Sequence, residues 1–241
     1  MAGYILYNGF WNPDAPPDPV RRLEAAAGAR GWHLTPVPNT AAIAEFSPHV
    51  SVTGFDTEDF ALFWDKDIRL GRALETLGVR LYNPAAVVEL CDDKAATHWK
   101  LAGQGIPMPR TLVAPMTYVR MDEAPSRAFS QRAAERLGFP MVVKECYGSL
   151  GGEVYLAQNE TELRALMDHM GSRPFLCQEF IRETAGTDLR IYVVDGRPVA
   201  AMRRRSDGDF RANIGNGGHG EAYTPTEEEA ALAVRCCRIL G

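Results

Sequence analysis

The sequence lacks several features that would assign it to a common functional class. Its 241 residues carry a formal net charge of −5, so no broad basic field is expected to hold nucleic acid. Its five cysteines include no Cys-x-x-Cys pair, which argues against a zinc ribbon or redox motif and favours small buried residues in a reducing compartment. No apolar run is long enough to span a membrane, and the N-terminus lacks a signal-peptide pattern. We therefore expect a cytoplasmic protein without nucleic-acid or membrane partners.

Familiar nucleotide-binding and hydrolase signatures are absent as well. The Walker A pattern does not occur, and the glycine-rich loop at residues 148–152 precedes a strand rather than a helix, which excludes a Rossmann fingerprint. No Ser-His-Asp arrangement can be defended. His219, set between glycines, is interpreted as a loop histidine in solvent, with a functional role as the alternative. His98 and His169 are interpreted as structural residues on helices.

The first 90 residues alternate between short apolar runs and amphipathic segments. This alternation predicts a parallel α/β domain over residues 1–90. A helix is expected from Pro19 to about Arg30, because its apolar residues share one face. The predicted strands are Tyr4–Tyr7, His33–Val37, Val50–Thr53, Phe60–Trp64 and Val79–Tyr82, and further helices are expected over 68–77 and after Pro84.

The rest of the chain mixes helices with hairpins, which predicts an α+β arrangement. We expect two further domains, over 91–173 and 174–241. Asp92 is interpreted as the N-cap of a helix over 93–104, and Asp195-Gly196 as a type I′ turn. The other predicted elements are strands over 111–113, 141–143, 154–156, 174–181, 188–194 and 198–205, and helices over 126–137, 160–170 and 226–240. Residues 206–222 are rich in glycine and asparagine.

The stretch over residues 140–155 contains the central motif of the sequence. A buried strand leads into Lys144, and a loop containing three glycines separates it from the next strand. The tip of such a hairpin exposes backbone N–H groups near a lysine charge, and it can fold over phosphates. An ordinary hairpin with a glycine-rich turn is the alternative.

Two later regions could complete such a site. In Gln178–Glu183, a strand runs into a charged connector, where backbone can read an adenine edge and a carboxylate can hold ribose hydroxyls. Asp188–Arg190, Arg203–Arg205 and Asp209–Asn213 supply arginines that can pair with phosphate oxygens and a developing oxyanion. The alternative for both regions is a purely structural strand with solvated charges.

Several of these motifs occur together in one order, and as a set they resemble the ATP-grasp superfamily, in particular its RimK-like branch of glutamate and amino-acid ligases. The resemblance runs from about residue 80 to residue 241, and the preceding α/β segment fits by position only. The motifs are Asp93-Lys-Ala-Ala-Thr, Gly105-Ile-Pro-Met-Pro-Arg-Thr, Val142-Val-Lys, Gly148-Ser-Leu-Gly-Gly, Gln178-Glu-Phe-Ile, Thr187-Asp-Leu-Arg and Gly208-Asp-Phe-Arg-Ala-Asn.

The resemblance implies a fold and a reaction. The fold is an α/β N-terminal domain followed by α+β ATP-grasp subdomains that enclose ATP. The reaction converts a carboxylate to an acyl phosphate, which an amine then attacks to give an amide, ADP and phosphate. The implied ATP contacts are Lys94, Lys144, Gly148, Gly151, Gly152, Gln178, Glu179, Phe180, Ile181, Glu183 and Asp188, and the implied catalytic residues are Arg211 and Asn213.

One departure from the family concerns the metal. The resemblance implies Mg²⁺ or Mn²⁺, held in the family by an Asp, a Glu and an Asn on strands after the final helix. The chain ends at Gly241, where that helix ends, so no metal ligand is assigned. The C-terminal subdomain is therefore expected to be incomplete, and the 241-residue chain to have little ligase activity.

Two alternatives stand beside a RimK-like ligase. One is a different ATP-grasp ligase that acts on a carrier protein or peptide, and the other is a nucleotide-binding module without catalysis. The expected partners are an amino acid and a carboxylate acceptor, which could be a small molecule, a peptide or a protein C-terminus. A homo-oligomer is also considered.

Overall fold

The computed structural model describes residues 2–11, 15–54, 60–118, 123–149 and 151–241, with the side chains of residues 123 and 124 left out. The chain divides into two compact units, Met1–Cys91 and Asp92–Gly241. The three domains expected from the sequence are a finer division, which stays a prediction. Part of the predicted loop after the first strand (12–14) and Leu150 of the glycine loop lie outside the described residues.

The first unit contains a parallel sheet. Its strands lie in the order β2-β1-β5-β6, and each neighbouring pair is parallel. The bounds are β1 Ala2–Tyr7, β2 His33–Pro38, β5 Phe60–Trp64 and β6 Arg80–Tyr82, with helices α1 Asp18–Gly28, α2 Ile68–Thr76 and α3 Ala85–Asp92. The parallel α/β fold predicted for this segment is confirmed.

Side-chain alternation along β1 explains why helices cover both faces of this sheet. Ile5 and Tyr7 point to one side and pack with Val20 of α1. Leu6 points to the other side and packs with Leu74 of α2. Both faces are therefore apolar, as a parallel sheet requires.

A small antiparallel hairpin stands outside the parallel sheet. It pairs β3 (Ile43–Phe46) with β4 (Val50–Thr53). Strand β4 was predicted, whereas β3 was missed. The polar Glu45 and the exposed Ile43 and Phe46 give β3 no buried face, and so no pattern to detect.

The second unit is built on an antiparallel sheet in the order β7-β10-β8-β9. Helices α5 and α6 pack on one face, against Met141, Val143, Phe175 and Cys177. Because side chains alternate, Lys144 and Gln178 point to the opposite face. The bounds are α4 Lys94–Leu101, β7 Thr111–Val113, α5 Glu123–Leu137, β8 Met141–Glu145, β9 Val154–Ala157, α6 Glu160–Met170 and β10 Phe175–Glu179. Strand β10 pairs with β7 and β8, which lie before the domain boundary expected between residues 173 and 174.

A second antiparallel sheet follows, in the order β11-β12-β13. Its bounds are β11 Thr187–Val194, β12 Arg197–Arg205 and β13 His219–Ala222, and helix α7 runs over Glu227–Leu240. The turn prediction is confirmed, since Asp195 and Gly196 both have positive φ, 49° and 69°. The interpretation of His219 as a loop histidine is wrong in its secondary structure, because this exposed residue lies on β13, which pairs with β12.

Helix starts follow the capping residues, with one correction. Asn159 accepts from the Glu162 amide, and Thr226 and Glu229 form a reciprocal capping box at α7. The cap of α4 is Asp93 rather than Asp92, because Asp93 Oδ1 accepts from the amides of Ala95 and Ala96. No helix within the described ranges is long and apolar enough to cross a membrane.

Candidate functional site

A cavity of about 520 Å³ lies within the second unit, on the side of the β7-β10-β8-β9 sheet away from α5 and α6. We call it the lysine cavity, because Lys94 and Lys144 both line it. Its volume is in the range of small-molecule sites. Eleven of the residues predicted from the sequence line it, namely Lys94, Lys144, Gly148, Gly151, Gln178, Glu179, Phe180, Ile181, Asp188, Arg211 and Asn213.

Lys144 lies near the end of β8 with its ammonium group held by Gln178. Nζ of Lys144 donates to Oε1 of Gln178 over 2.6 Å. Burial lowers the pKa of the Lys144 ammonium below its ordinary value of 10.5, and the positive charge of Lys94 lowers it further. A negatively charged ligand would relieve both effects, so this position favours an anion.

Lys94 begins α4 and is fixed at both its backbone and its side chain. Its amide donates to the Cys146 carbonyl over 2.9 Å, and Nζ donates to the Gly148 carbonyl over 3.1 Å. Neither Lys94 nor Lys144 takes part in the ion pairs found among the described residues. Two cations thus meet in the cavity with only neutral acceptors, which suits a polyanion such as a phosphate chain.

The glycine loop brings bare backbone to the cavity. Gly148 and Gly151 have φ of +127° and +82°, conformations that side chains rarely adopt. A Cβ at Gly151 would lie 2.7 Å from Oδ1 of Asn213, so the side chain of Asn213 would have to shift to make room for one. Gly152 does not line the cavity, and a Cβ there would meet no atom within 4 Å.

In the connector after β10, Glu179 is hydrogen-bonded to the protein, whereas the residues that follow it line the cavity. The Glu179 amide donates to the Arg110 carbonyl over 3.0 Å, and its Oε1 accepts from the Arg110 amide over 2.6 Å. Phe180 and Ile181 follow the last ladder pair of β10 and line the cavity. The Phe180 ring packs edge-on against Phe210, with centroids 6.1 Å apart.

Arg211 joins the loop after β12 to the β8–β9 hairpin. Its Nη2 lies 2.6 Å from Oδ2 of Asp209, and its Nη1 donates to the carbonyls of Gly151 and Val154 over 2.9 and 3.1 Å. The guanidinium lowers the pKa of the Asp209 carboxyl below its usual value. Most N–H groups of Arg211 are therefore engaged by the protein itself, and Asn213 lies beside it against Gly151.

Glu183 and Asp188, the two alternatives that the resemblance implies for the ribose contact, have different positions. Asp188 is the second residue of β11, lines the cavity and forms an ion pair with Arg204. Glu183 is exposed in a short turn over Arg182–Thr184 and does not line the cavity.

His98 lines the cavity although the sequence suggested a structural role. Its Nε2 lies 2.9 Å from Nε2 of Gln178, and its Nδ1 lies 2.8 Å from the Lys94 carbonyl. Its spacing of four residues from Lys94, which places both on one face of α4, is the signal that could have found it. Thr111 and Phe210 are further contributors that sequence reasoning did not single out.

The expected Mg²⁺ or Mn²⁺ has no ligand set in the part of the chain that the structure describes. No group of three or more His, Cys, Asp or Glu side chains there could hold a metal ion. The lysines and amides that line the lysine cavity bind anions, and of its carboxylates Asp188 is paired with Arg204 and Glu179 is bonded to the Arg110 amide. These residues fit the phosphates of ATP, whereas they do not fit the metal.

Comparison with known proteins agrees with this geometry. The family model described as the RimK-like ATP-grasp domain matches residues 91–241. A probable alpha-L-glutamate ligase from Alkalilimnicola ehrlichii is 31% identical over 241 residues, covering 92% of this chain and 75% of that protein. N-acetylaspartylglutamate synthase A from Homo sapiens is 34% identical over 215 residues, covering 88% of this chain and 52% of that protein.

Several curated relatives are considerably longer. The chain spans about half of their length, between 42% and 60% of five of them. The fold has a solved counterpart in a RimK domain protein ATP-grasp from Sphaerobacter thermophilus, with a TM-score of 0.74 and 24% identity over 100% of this chain and 83% of that one. The family model and the probable glutamate ligase between them cover the lysines, the glycine loop and the strand-end connector, and on that basis the chain belongs to the RimK-like ATP-grasp family.

Proposed function

We propose that this chain is an ATP-dependent carboxylate–amine ligase, which forms an amide or peptide bond through an acyl-phosphate intermediate. The observation that carries the proposal is the lysine cavity, where two cations that pair with no carboxylate among the described residues meet next to a glycine loop. Membership of a ligase family supports the type of reaction. Phosphoryl transfer depends mainly on positioning and charge neutralisation, and the cavity offers the groups for both.

The lining residues suggest how the nucleotide lies. Its phosphates would contact the ammonium groups of Lys94 and Lys144, with the bare backbone of the glycine loop over them. Its adenine edge would be read by backbone of Phe180 and Ile181, since the Glu179 amide is already bonded to Arg110. Asp188 would approach the ribose, with Arg204 holding its carboxylate in place.

During the reaction, the protein would position the nucleotide and neutralise the negative charge of its phosphates. The lysines would neutralise the transferred phosphoryl group, and the burial of Lys144 strengthens that effect. Arg211 would act chiefly by fixing the glycine loop, because Asp209 and two backbone carbonyls already occupy most of its donors. Asn213 lies near enough to Gly151 to place its amide at the same edge of the cavity.

The names of the relatives guide the choice of substrates. One is called a probable alpha-L-glutamate ligase and another an N-acetylaspartylglutamate synthase. We therefore propose glutamate as the incoming amine and a small carboxylate or a peptide as the acceptor. A cytoplasmic location and assembly into homo-oligomers stay predictions.

The experiment combines binding with turnover. Calorimetry with a non-hydrolysable ATP analogue should show binding that weakens about 10-fold to 150-fold in Lys144→Met, the loss of one charge-assisted contact of about 1.5–3 kcal/mol. Lys100→Met, an exposed lysine on α4, is the matched control and should bind like the unchanged protein. Equal affinity of the two variants would contradict the assignment of Lys144 and the lysine cavity to the nucleotide phosphates.

Turnover tests the reaction itself. Phosphate release should be slow, because the described residues include no group that could hold the metal ion. Any release should require both glutamate and an acceptor, and mass spectrometry should find the amide product. Nucleotide binding without phosphate release from any acceptor in a panel of small carboxylates and peptides would instead support a non-catalytic nucleotide-binding module.

A further inference from the structure

We propose that His98 is a positioning residue, which acts through Gln178 to hold the Lys144 ammonium in place for the nucleotide phosphates. The inference rests on the proposed function of the lysine cavity, and it assigns a role to a histidine outside the motifs of the sequence analysis. His98, Gln178 and Lys144 all line the cavity.

The strand register brings Gln178 within reach of three partners. On β10, Gln178 pairs directly with Thr111 of β7 on one side and with Val142 of β8 on the other. Lys144 is two residues beyond Val142 and therefore points to the same face, on the diagonal. The side chain of Gln178 is only 5% exposed, so its polar atoms must find partners within the protein.

The direction of each hydrogen bond is fixed by chemistry. The Lys144 ammonium can only donate, so Oε1 of Gln178 faces it at 2.6 Å. The Gln178 amide nitrogen then faces Oγ1 of Thr111 and Nε2 of His98, each at 2.9 Å. Thr111 can accept because its own hydroxyl proton goes to the Pro109 carbonyl, 3.0 Å away.

These directions leave one protonation state for His98. Its Nε2 must be the unprotonated nitrogen, since it faces an N–H donor. Its single proton therefore sits on Nδ1 and is donated to the Lys94 carbonyl over 2.8 Å. The chain of contacts runs from the Lys144 ammonium through Gln178 and His98 to the backbone of Lys94, so His98 links both cavity lysines.

Loss of the acceptor at His98 Nε2 would leave one N–H of the buried Gln178 amide without a partner, so that Thr111 alone holds the amide nitrogen. The amide would then be less firmly oriented, and its Oε1 less firmly placed against the Lys144 ammonium. Glutamine at residue 98 can present an oxygen near the position of Nε2, whereas phenylalanine fills the same space without an acceptor. The pair of variants therefore separates the hydrogen bond from the volume of the ring.

The first test uses the unchanged protein without nucleotide. Long-range ¹H–¹⁵N spectra of ¹⁵N-histidine protein at mildly alkaline pH should show His98 as the Nδ1–H tautomer, with its signals assigned by their loss in His98→Gln. A proton on Nε2, alone or in addition, would overturn the proposal. This outcome does not depend on whether nucleotide binds.

The second test measures affinity for a non-hydrolysable ATP analogue. His98→Phe should weaken binding about 10-fold, the size expected when one hydrogen-bond partner of a buried group is lost. His98→Gln should stay within about 3-fold of the unchanged protein. His169→Phe, an exposed histidine on α6, is the control and should bind normally. Unchanged affinity in His98→Phe would overturn the proposal even if Lys144→Met binds weakly.

A double variant distinguishes action through Lys144 from a direct contact with the ligand. In the Lys144→Met background, His98→Phe should add little further loss. Losses that add in full would show that His98 acts independently of Lys144, and would overturn the positioning role. If the unchanged protein binds no nucleotide, the proposed function fails. The tautomer measurement would still show whether His98 Nε2 accepts a hydrogen bond from Gln178.

Discussion

Arg204 holds the carboxylate of Asp188 at two points, with Nε 2.7 Å from Oδ1 and Nη2 2.6 Å from Oδ2. The two residues are direct partners across the β11–β12 ladder. This pairing raises the pKa of the Arg204 guanidinium, through its hydrogen bond to Asp188. Asp188 is therefore a carboxylate with a fixed direction at the edge of the lysine cavity.

Arg204→Met should reduce stability, because it leaves the Asp188 carboxylate without its partner. We expect a loss of about 1–2 kcal/mol, below the range for fully buried pairs because Asp188 is partly exposed. Arg205→Met is the matched control, since Arg205 only approaches Glu221 at 3.8 Å and should cost less than about 0.5 kcal/mol. Urea unfolding midpoints measure both, and equal losses would contradict a stabilising pair.

Lys94→Met should raise the pKa of Lys144. Burial is the larger cause of the lowered pKa and remains in the variant, so the value should still lie below 10.5. Between the folded-state pKa of Lys144 and 10.5, the unfolded chain holds more protons at Lys144 than the folded protein does. The free energy of unfolding therefore rises with pH over this range. In Lys94→Met the folded-state pKa lies closer to 10.5, so the pH range of this rise should be narrower.

NMR titration of labelled lysine side chains measures this directly, with Lys144→Met to assign the signal. Lys100→Met should leave the Lys144 titration unchanged, since Lys100 does not contribute to its shift. A Lys144 pKa that does not move in Lys94→Met would show that the two ammonium groups do not interact.

Gly151→Ala should damage the glycine loop. The added Cβ would meet Oδ1 of Asn213 at 2.7 Å, and the φ of +82° is unfavourable for alanine. We expect a stability loss of about 1–3 kcal/mol together with weaker nucleotide binding. Gly152→Ala, where no atom lies within 4 Å of the new Cβ, is the control and should be close to neutral. Matching unfolding midpoints for both variants would argue against the close approach to Asn213.

Arg211→Lys should loosen the β8–β9 hairpin while keeping the positive charge. A lysine cannot bond to Asp209 and to the carbonyls of Gly151 and Val154 together, because it lacks the forked guanidinium. Hydrogen exchange should become faster over residues 151–155 and 207–213. Arg205→Lys serves as the control, and unaltered exchange in Arg211→Lys would remove the role assigned to this side chain.

Local patterns predicted much of this structure because short-range physics decides them. The Asp195-Gly196 turn needs two residues that tolerate positive φ, and the chain supplies them. Asn159 caps α6 through an amide three residues away. Lys144 could be placed at the end of a buried strand from the apolar run before it, and the predicted hairpin is confirmed, since β8 pairs with β9.

Long-range contacts decide the features that the sequence did not reveal. Either Asp92 or Asp93 can cap a helix by its residue type. In the structure Asp93 is the cap, and the next residue, Lys94, donates its amide to the distant Cys146 carbonyl. The role of His98 depends on Gln178, which is 80 residues away. The resemblance implied Glu183 as one of two alternatives for the ribose contact, but Glu183 lies in the turn over Arg182–Thr184 and does not line the lysine cavity.

The link between α4 and the sheet also bears on how the protein folds. Lys94 and Gly148 are 54 residues apart, and His98 and Gln178 are 80 apart, so these contacts close long loops of chain. Closing a long loop costs entropy that only a formed sheet can offset, and we expect these contacts to form after the folding transition state. His98→Phe should then speed unfolding and leave refolding almost unchanged, which a chevron plot would show. The two lysines would come together last during folding and separate first during unfolding.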